Sequence, residues 1–163
     1  MIPMTERRED PAKDFLCSYR GARMEVVRCE SRLEQMRTRC EKLTQQMSSG
    51  GHGGNRDLHG DASMASLADL SAHLDQLRRA AETRELEVER FIELLPSPDH
   101  RAVLSMRYAG LMTWPAIRVK MEQHGLFYSE RQMFRLHGDA LQAARETWAD
   151  THPGEGAEGG AEV

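Results

Sequence analysis

Apolar side chains recur in alternating steps of four and three residues along the first part of the chain. This spacing places them on one stripe of a helix and is typical of a coiled-coil seam. The stripe extends over about five heptads, and no proline occurs after Pro11 within it. Its members are Phe15, Tyr19, Ala22, Val26, Cys29, Leu33, Met36, Cys40, Leu43 and Met47. The pattern predicts a long helix over about 11–48, preceded by a flexible N-terminus, 1–10.

A second stripe with the same spacing follows a glycine-rich segment. Residues 48–60 are SSGGHGGNRDLHG, and the five glycines in this run favour a loop over 49–60. Asp61 or Ser63 can cap a second helix, and Pro96 stops it. Its stripe contains Leu67, Leu70, Leu74, Leu77, Ala81, Arg84, Val88, Phe91 and Leu95. The pattern predicts a second helix over about 61–95.

Two matched stripes joined by a flexible loop predict an antiparallel helical hairpin over 11–95. The segment 11–48 has eight Lys and Arg against five Asp and Glu, whereas 61–95 has four against eight. These opposite charges favour pairing between the two helices. Parallel dimers use the same seam, so closure within one chain and a homodimer through the hairpin both remain open. Arg84 lies on the second stripe, where we expect it to extend towards solvent or to pair with a carboxylate of the first helix.

Helix-start and helix-stop residues divide 96–150 into three short helices. Ser97 followed by Pro98 and Asp99 begins the first, and Gly110 ends it. Thr113 caps the second helix, and a capping box at 129–132 opens a longer third one. The last two helices are joined by a turn around a glycine, which is the layout of a helix-turn-helix domain. The predicted fold class is therefore all-α, a hairpin followed by a trihelical domain, with a disordered tail at 151–163.

The third helix has polar side chains near its N-terminal end, the end that enters the major groove in helix-turn-helix proteins. The predicted buried stripe of this helix contains Met133, Leu136, Ala140, Ala144 and Trp148. Arg131, Gln132 and Arg135 lie outside it. Arginine can donate two hydrogen bonds to guanine, and glutamine can pair with the edge of adenine. Ser129 and the free amides at the helix start suit a phosphate. On the preceding helix, the candidates for contacts to the DNA backbone are Arg118 and Lys120.

These residues lie in a run that resembles region 4 of sigma-70-type factors. The run LLPSPDHRAVLSMRYAGLMTWPAIRVKMEQHGLFYSERQMFRLHGDAL is closer still to phage-encoded sigma-like regulators of the ArpU and RinA type. The similarity lies in the Leu-Pro before the first helix, in HRAVLSMRY, in TWPAI and in SERQMFRLHGDAL. It implies packing roles for Leu104, Tyr108, Trp114 and Ile117.

The resemblance implies a sequence-specific transcriptional regulator of phage or prophage origin that recognises the major groove with helix 129–148. Its partners would be double-stranded DNA and RNA polymerase. Matched to the recognition-helix pattern are Ser129, Arg131, Gln132, Arg135 and His137. The chain departs from the pattern in its longer QHGLFY turn and in Arg118, where the family often has a small residue. It also has no counterpart of the promoter-melting region, which indicates a sigma-like regulator rather than a complete sigma factor.

Charge limits the DNA-binding hypothesis. The net charge is −4, and 96–150 has seven Lys and Arg against six Asp and Glu. A near-neutral domain argues against tight nonspecific binding to DNA. This charge, together with the acidic second helix, keeps open a protein-interaction module that binds RNA polymerase without recognising DNA. A second alternative is a DNA-packaging subunit similar to a small terminase, which would also pair a helix-turn-helix with an oligomerising coiled coil.

The sequence does not predict an enzyme, a metal site or a cofactor. Three cysteines lack CxxC spacing, and seven histidines are scattered without the pairing of zinc ligands. No apolar run approaches the roughly 18 residues of a membrane span, and the charged N-terminus lacks the apolar core of a secretory signal. We therefore expect a cytoplasmic protein.

Overall fold

The computed structural model describes residues 10–50 and 56–154, except for the side chains of 56–61. Every regular element in these residues is a helix, which confirms the predicted all-α class. The α-helices are α1 (Pro11–Ser49), α2 (Arg56–Glu93), α3 (Pro98–Leu104), α4 (Trp114–Gln123) and α5 (Glu130–Thr151). A π-helical turn, Ser105–Ala109, continues directly from α3.

The ends of these helices differ slightly from the predicted ones. The helix α2 begins at Arg56, before the predicted start near 61, and therefore includes Gly60. One glycine costs a helix about 1 kcal/mol relative to alanine, which is too little to end it. The predicted flexible N-terminus lies outside the described residues except for Asp10, and the predicted disordered tail lies outside them except for 151–154. Residues 51–55 of the predicted loop also lie outside the described residues.

The described residues form two compact units, and α1 and α2 contribute to both. The C-terminal unit consists of residues 10–20 and 84–154, and the middle unit of 21–50 and 56–83. The sequence places the boundary between its two predicted domains at 95 and 96. In the structure, the first turns of α1 and the last turns of α2 belong to the same unit as α3, α4 and α5.

Three aromatic side chains hold the helices of the C-terminal unit together. The rings of Phe15 in α1, Phe91 in α2 and Trp148 in α5 have centroids 5.0 to 5.5 Å apart. Such pairs contribute about 0.5 to 1.5 kcal/mol beyond the burial of their area. An ion pair between Arg145 Nε and Asp10 Oδ2, 2.8 Å long, joins α5 to the residue before α1. Fully buried aliphatic side chains complete this core, among them Leu16, Val88, Ile92, Leu95, Val103, Leu104 and Ile117.

The middle unit is formed by α1 and α2 of the same chain. Val26, Cys29 and Leu33 of the predicted first stripe are buried, as are Leu74 and Ala81 of the second. Leu43 and Met47 are about half exposed, so burial of the first stripe decreases towards its C-terminal end. Cross-helix contacts include Cys29 Sγ to the Leu70 carbonyl oxygen at 3.9 Å and Arg78 to Glu30 at 2.9 Å.

The predicted caps set the starts of α3 and α5. Ser97 Oγ accepts a hydrogen bond from the His100 amide at 3.5 Å. The capping box of α5 is complete, because Ser129 and Gln132 bond each other's backbone amides. Thr113 occupies the N-cap position of α4, but its hydroxyl accepts no bond from that helix.

The predicted end of the first short helix near Gly110 takes the form of a π-helical turn. The Gly110 amide donates to the Ser105 carbonyl oxygen at 2.8 Å. A Cβ atom on Gly110 would lie only 2.9 Å from the backbone oxygen of Met106, so this close approach requires glycine. Leu111 then adopts a φ of 51°, a left-handed conformation that is uncommon for a non-glycine residue. Gly125, in the turn that the sequence predicted before α5, has a φ of 80°.

Candidate nucleic-acid interface

The helix α5 has a buried side and an exposed side. Its buried residues are Met133, Ala140, Leu141 and Ala144. Arg131 and Arg135 lie four residues apart and therefore project from one exposed face. Gly138 and Gln142 continue this face at the same helical spacing. We call the set Arg131, Arg135, Gly138 and Gln142 the outer face of α5.

The two arginines of the outer face have free guanidinium groups. Within the described residues, neither Arg131 nor Arg135 makes a side-chain hydrogen bond or an ion pair. An arginine without a carboxylate partner keeps all five N–H donors available for a ligand. The first two turns of α5 therefore present two unneutralised cations, and the helix dipole adds partial positive charge at the same end.

Ser129 and Gln132 are engaged with each other at the start of α5. The backbone amide of Gln132 donates to Ser129 Oγ at 3.3 Å, and the side-chain oxygen Oε1 of Gln132 accepts from the backbone amide of Ser129 at 2.9 Å. Pairing with adenine requires both the carbonyl and the amide of a glutamine side chain. Gln132 would have to leave the capping box to make that contact, so its first role is to hold the N-terminus of α5.

The two predicted cations of α4 differ in their surroundings. Arg118 is exposed and lies 3.7 Å from Glu122, which partly neutralises it. Lys120 is exposed and has no charged partner among the described residues. Residues two apart on a helix do not face each other, so the structure does not bring Arg118 and Lys120 to one surface. Lys120 borders a groove of about 330 Å³, whose other lining residues include Met106, Met121, Leu126, Tyr128 and Leu136.

His137 is the one predicted site residue whose side chain packs against the rest of its unit. It is half-buried, and its Nε2 lies 3.0 Å from the Tyr108 hydroxyl. Its ring also meets the ring of Trp114 edge to face, with centroids 4.8 Å apart. Burial lowers the pKa of His137 below its usual value, and the nearby charges of Arg107 and Lys13 lower it further. The structure thus separates His137 from the exposed arginines of the outer face.

Sequence reasoning missed an exposed aromatic residue that precedes Arg131 by four positions. Phe127 lies in the turn between α4 and α5, two residues before the N-cap Ser129, and 78% of its surface is exposed. The sequence contained a sign of this exposure, because Phe127 lies between the two predicted helices and belongs to the apolar stripe of neither. The second missed residue is Arg107, whose guanidinium lies 4.9 Å from the ring centroid of Trp114 and donates to the Met112 carbonyl at 2.8 Å.

The described residues contain neither a metal-binding cluster nor a membrane-spanning helix. No group of three or more His, Cys, Asp or Glu side chains in these residues is arranged to hold a metal ion. None of the helices in the described part of the chain combines the length and the apolarity that crossing a bilayer requires.

Comparison of the chain with protein-family models, curated proteins and solved structures found no match. The resemblance to sigma region 4 therefore stays a prediction. Any function proposed for the outer face of α5 depends on its geometry and charge.

Proposed function

We propose that this protein is a sequence-specific DNA-binding transcriptional regulator of the sigma region 4-like, phage or prophage type. In this proposal α4 and α5 form a helix-turn-helix, and the outer face of α5 enters the major groove. The observation that supports it most strongly is the pair Arg131 and Arg135, which are exposed, lie on one face of a capped helix and have no partner among the described residues.

Each group at the start of α5 has a defined part in the proposal. Arg131 and Arg135 donate to the edges of guanines, because a guanidinium can bond O6 and N7 together. The Ser129 hydroxyl and the first amides of α5 bind a backbone phosphate. Lys120 is better suited than Arg118 to a second phosphate, because Arg118 lies near a carboxylate. His137 positions α5 through its contacts with Tyr108 and Trp114 and does not touch DNA.

We further propose that α1 and α2 form an antiparallel hairpin that contacts a protein partner, either RNA polymerase or a second copy of the chain. The buried stripes of the middle unit and the pair Arg78–Glu30 support closure of this hairpin within one chain. Met24 and Val27 are about half exposed on α1 and offer apolar surface to a partner. Such a regulator would act in the cytoplasm.

Selection of bound duplexes from a random double-stranded library by the full-length protein tests the proposal. A single enriched motif is expected. Arg131→Ala and Arg135→Ala should each weaken binding to it by about 1 to 3 kcal/mol and relax one base position. Arg90→Ala is the matched control, because it removes the same charge from an exposed position on α2 in the same unit.

Three results would contradict the proposal. Failure to enrich any motif would indicate a protein-interaction module, an alternative that the near-neutral charge of 96–150 favours. Equal loss of affinity in Arg90→Ala would mean that only net charge matters. A ring-sized oligomer in light scattering would favour the packaging subunit.

A further inference from the structure

Phe127 is the most exposed large apolar side chain in the described part of the chain. Its exposed fraction is 78%, whereas its neighbour Leu126 is 43% exposed and borders the groove beside α4. Within the described residues, the Phe127 ring makes no contact with another aromatic ring. Within the described residues, no aromatic packing therefore accounts for a phenylalanine at this position.

Phe127 is close in sequence to the proposed DNA-contacting residues. It precedes the N-cap Ser129 by two residues and Arg131 by four. The turn and the first helical residues lie at the same end of α5, the end that enters the groove in a helix-turn-helix. A benzyl group there cannot bond a phosphate, because it has no hydrogen-bond donor.

We propose that Phe127 packs against the C5-methyl group of a thymine beside the base pairs contacted by Arg131, and so selects thymine at that position. The inference rests on the proposed function. The thymine methyl is the apolar group that the major groove presents, and phenylalanine is one of the side chains that contact it. Phe127 therefore adds an apolar specificity contact to the polar contacts of the two arginines.

Replacement of single thymines by uracil in the selected duplex tests this inference. Uracil keeps the base pair and removes only the methyl group. For the wild-type protein, one such replacement should weaken binding about fourfold, the effect of no longer burying one methyl group. Phe127→Ala should bind the thymine and uracil duplexes equally, and its preference at the Arg131 base position should be unchanged.

Two further variants strengthen the test. Phe127→Leu keeps an apolar side chain in the turn and should retain part of the preference for thymine. Leu86→Ala shortens a half-exposed apolar residue of α2 in the same unit and should leave the preference unchanged. Circular dichroism should show that all three variants are folded.

The outcomes distinguish this inference from the proposed function. If no thymine shows a methyl effect, or if Phe127→Ala keeps the wild-type effect, the thymine contact is wrong. The DNA-binding proposal then still stands, provided that Arg131→Ala weakens binding. If no duplex is enriched at all, both proposals fail.

Discussion

The Tyr108 hydroxyl lies 3.0 Å from Nε2 of His137, although the two residues are 29 positions apart. This contact joins the π-helical turn to the third turn of α5. The ring of Trp114, at the start of α4, meets the same histidine ring. The guanidinium of Arg107 lies over the ring of Trp114. The orientation of the outer face of α5 is therefore set by a polar contact as well as by the apolar core.

His137 should make the stability of the protein depend on pH. Its pKa is lowered in the folded state, chiefly by burial, so the unfolded chain binds more protons as pH falls below about 6.5. The contribution of neutral His137 to the free energy of unfolding is therefore complete above that pH and is lost as pH decreases. Urea unfolding at pH 7.5 and pH 5.5 should show a smaller loss for His137→Gln than for the wild type. The control is His124→Gln, which replaces an exposed histidine and should keep the wild-type loss. Equal losses in all three proteins would contradict a lowered pKa of His137 in the folded state.

The aromatic cluster of Phe15, Phe91 and Trp148 should dominate the stability of the C-terminal unit. Phe91 is buried and touches both other rings, so Phe91→Ala should lower the free energy of unfolding by about 3 to 5 kcal/mol. Leu86→Ala, on an exposed face of the same helix, should change it by less than about 0.5 kcal/mol. Urea unfolding followed by tryptophan fluorescence measures both. A loss below 1 kcal/mol in Phe91→Ala would mean that the three rings do not pack together in solution.

The local signals in the sequence predicted the capped starts of α3 and α5, whereas α2 begins before its predicted start and Thr113 makes no capping bond to α4. The Ser97 cap, the Ser129–Gln132 capping box and the glycine turn at Gly125 all occur in the structure. Each depends on residues within a few positions of one another, and such local hydrogen bonds and backbone preferences can be recognised from sequence. The π-helical turn and the left-handed Leu111 could not be predicted this way, because they depend on how α3 is connected to α4.

The surroundings of individual side chains were harder to predict. His137 lies four residues after Met133 and three before Ala140, so helical spacing alone places it towards the buried stripe, whereas the family resemblance groups it with the DNA-contacting residues. Arg84 pairs with Glu87 of its own helix at 3.0 Å and not with a carboxylate of α1. Spacing gives the face of a helix on which a residue lies, but the partner depends on the neighbouring elements.

Two substitutions of Ser129 should distinguish its effect on stability, as the N-cap of α5, from its proposed effect on phosphate binding. Ser129→Ala removes the cap and should lower the free energy of unfolding by about 1 kcal/mol. Ser129→Asp keeps a good N-cap acceptor and should preserve stability, but it places a negative charge where the proposal puts a phosphate. Thermal unfolding and titration of the selected duplex measure the two effects. If Ser129→Asp binds DNA as the wild type does, no phosphate lies at this helix end.

Replacement of Gly138 by alanine should raise the stability of the protein and lower its affinity for DNA. A Cβ atom at this position would meet nothing within 4 Å, and the residue is exposed in the middle of α5. Gly138→Ala should therefore raise the free energy of unfolding by up to about 1 kcal/mol. Gly138 lies on the outer face next to Arg135, where the proposal brings the helix close to the bases. The added methyl group should then weaken binding to the selected duplex.

Gly21→Ala is the control for this prediction. Gly21 is also an exposed helical glycine with free space around its Cβ position, but it lies in α1. The substitution should raise stability by a similar amount and leave DNA affinity unchanged. A general effect of helix stabilisation would change both variants alike, whereas a close approach of α5 to DNA affects only Gly138→Ala. Unchanged affinity in Gly138→Ala would confine the DNA contact to the first two turns of α5.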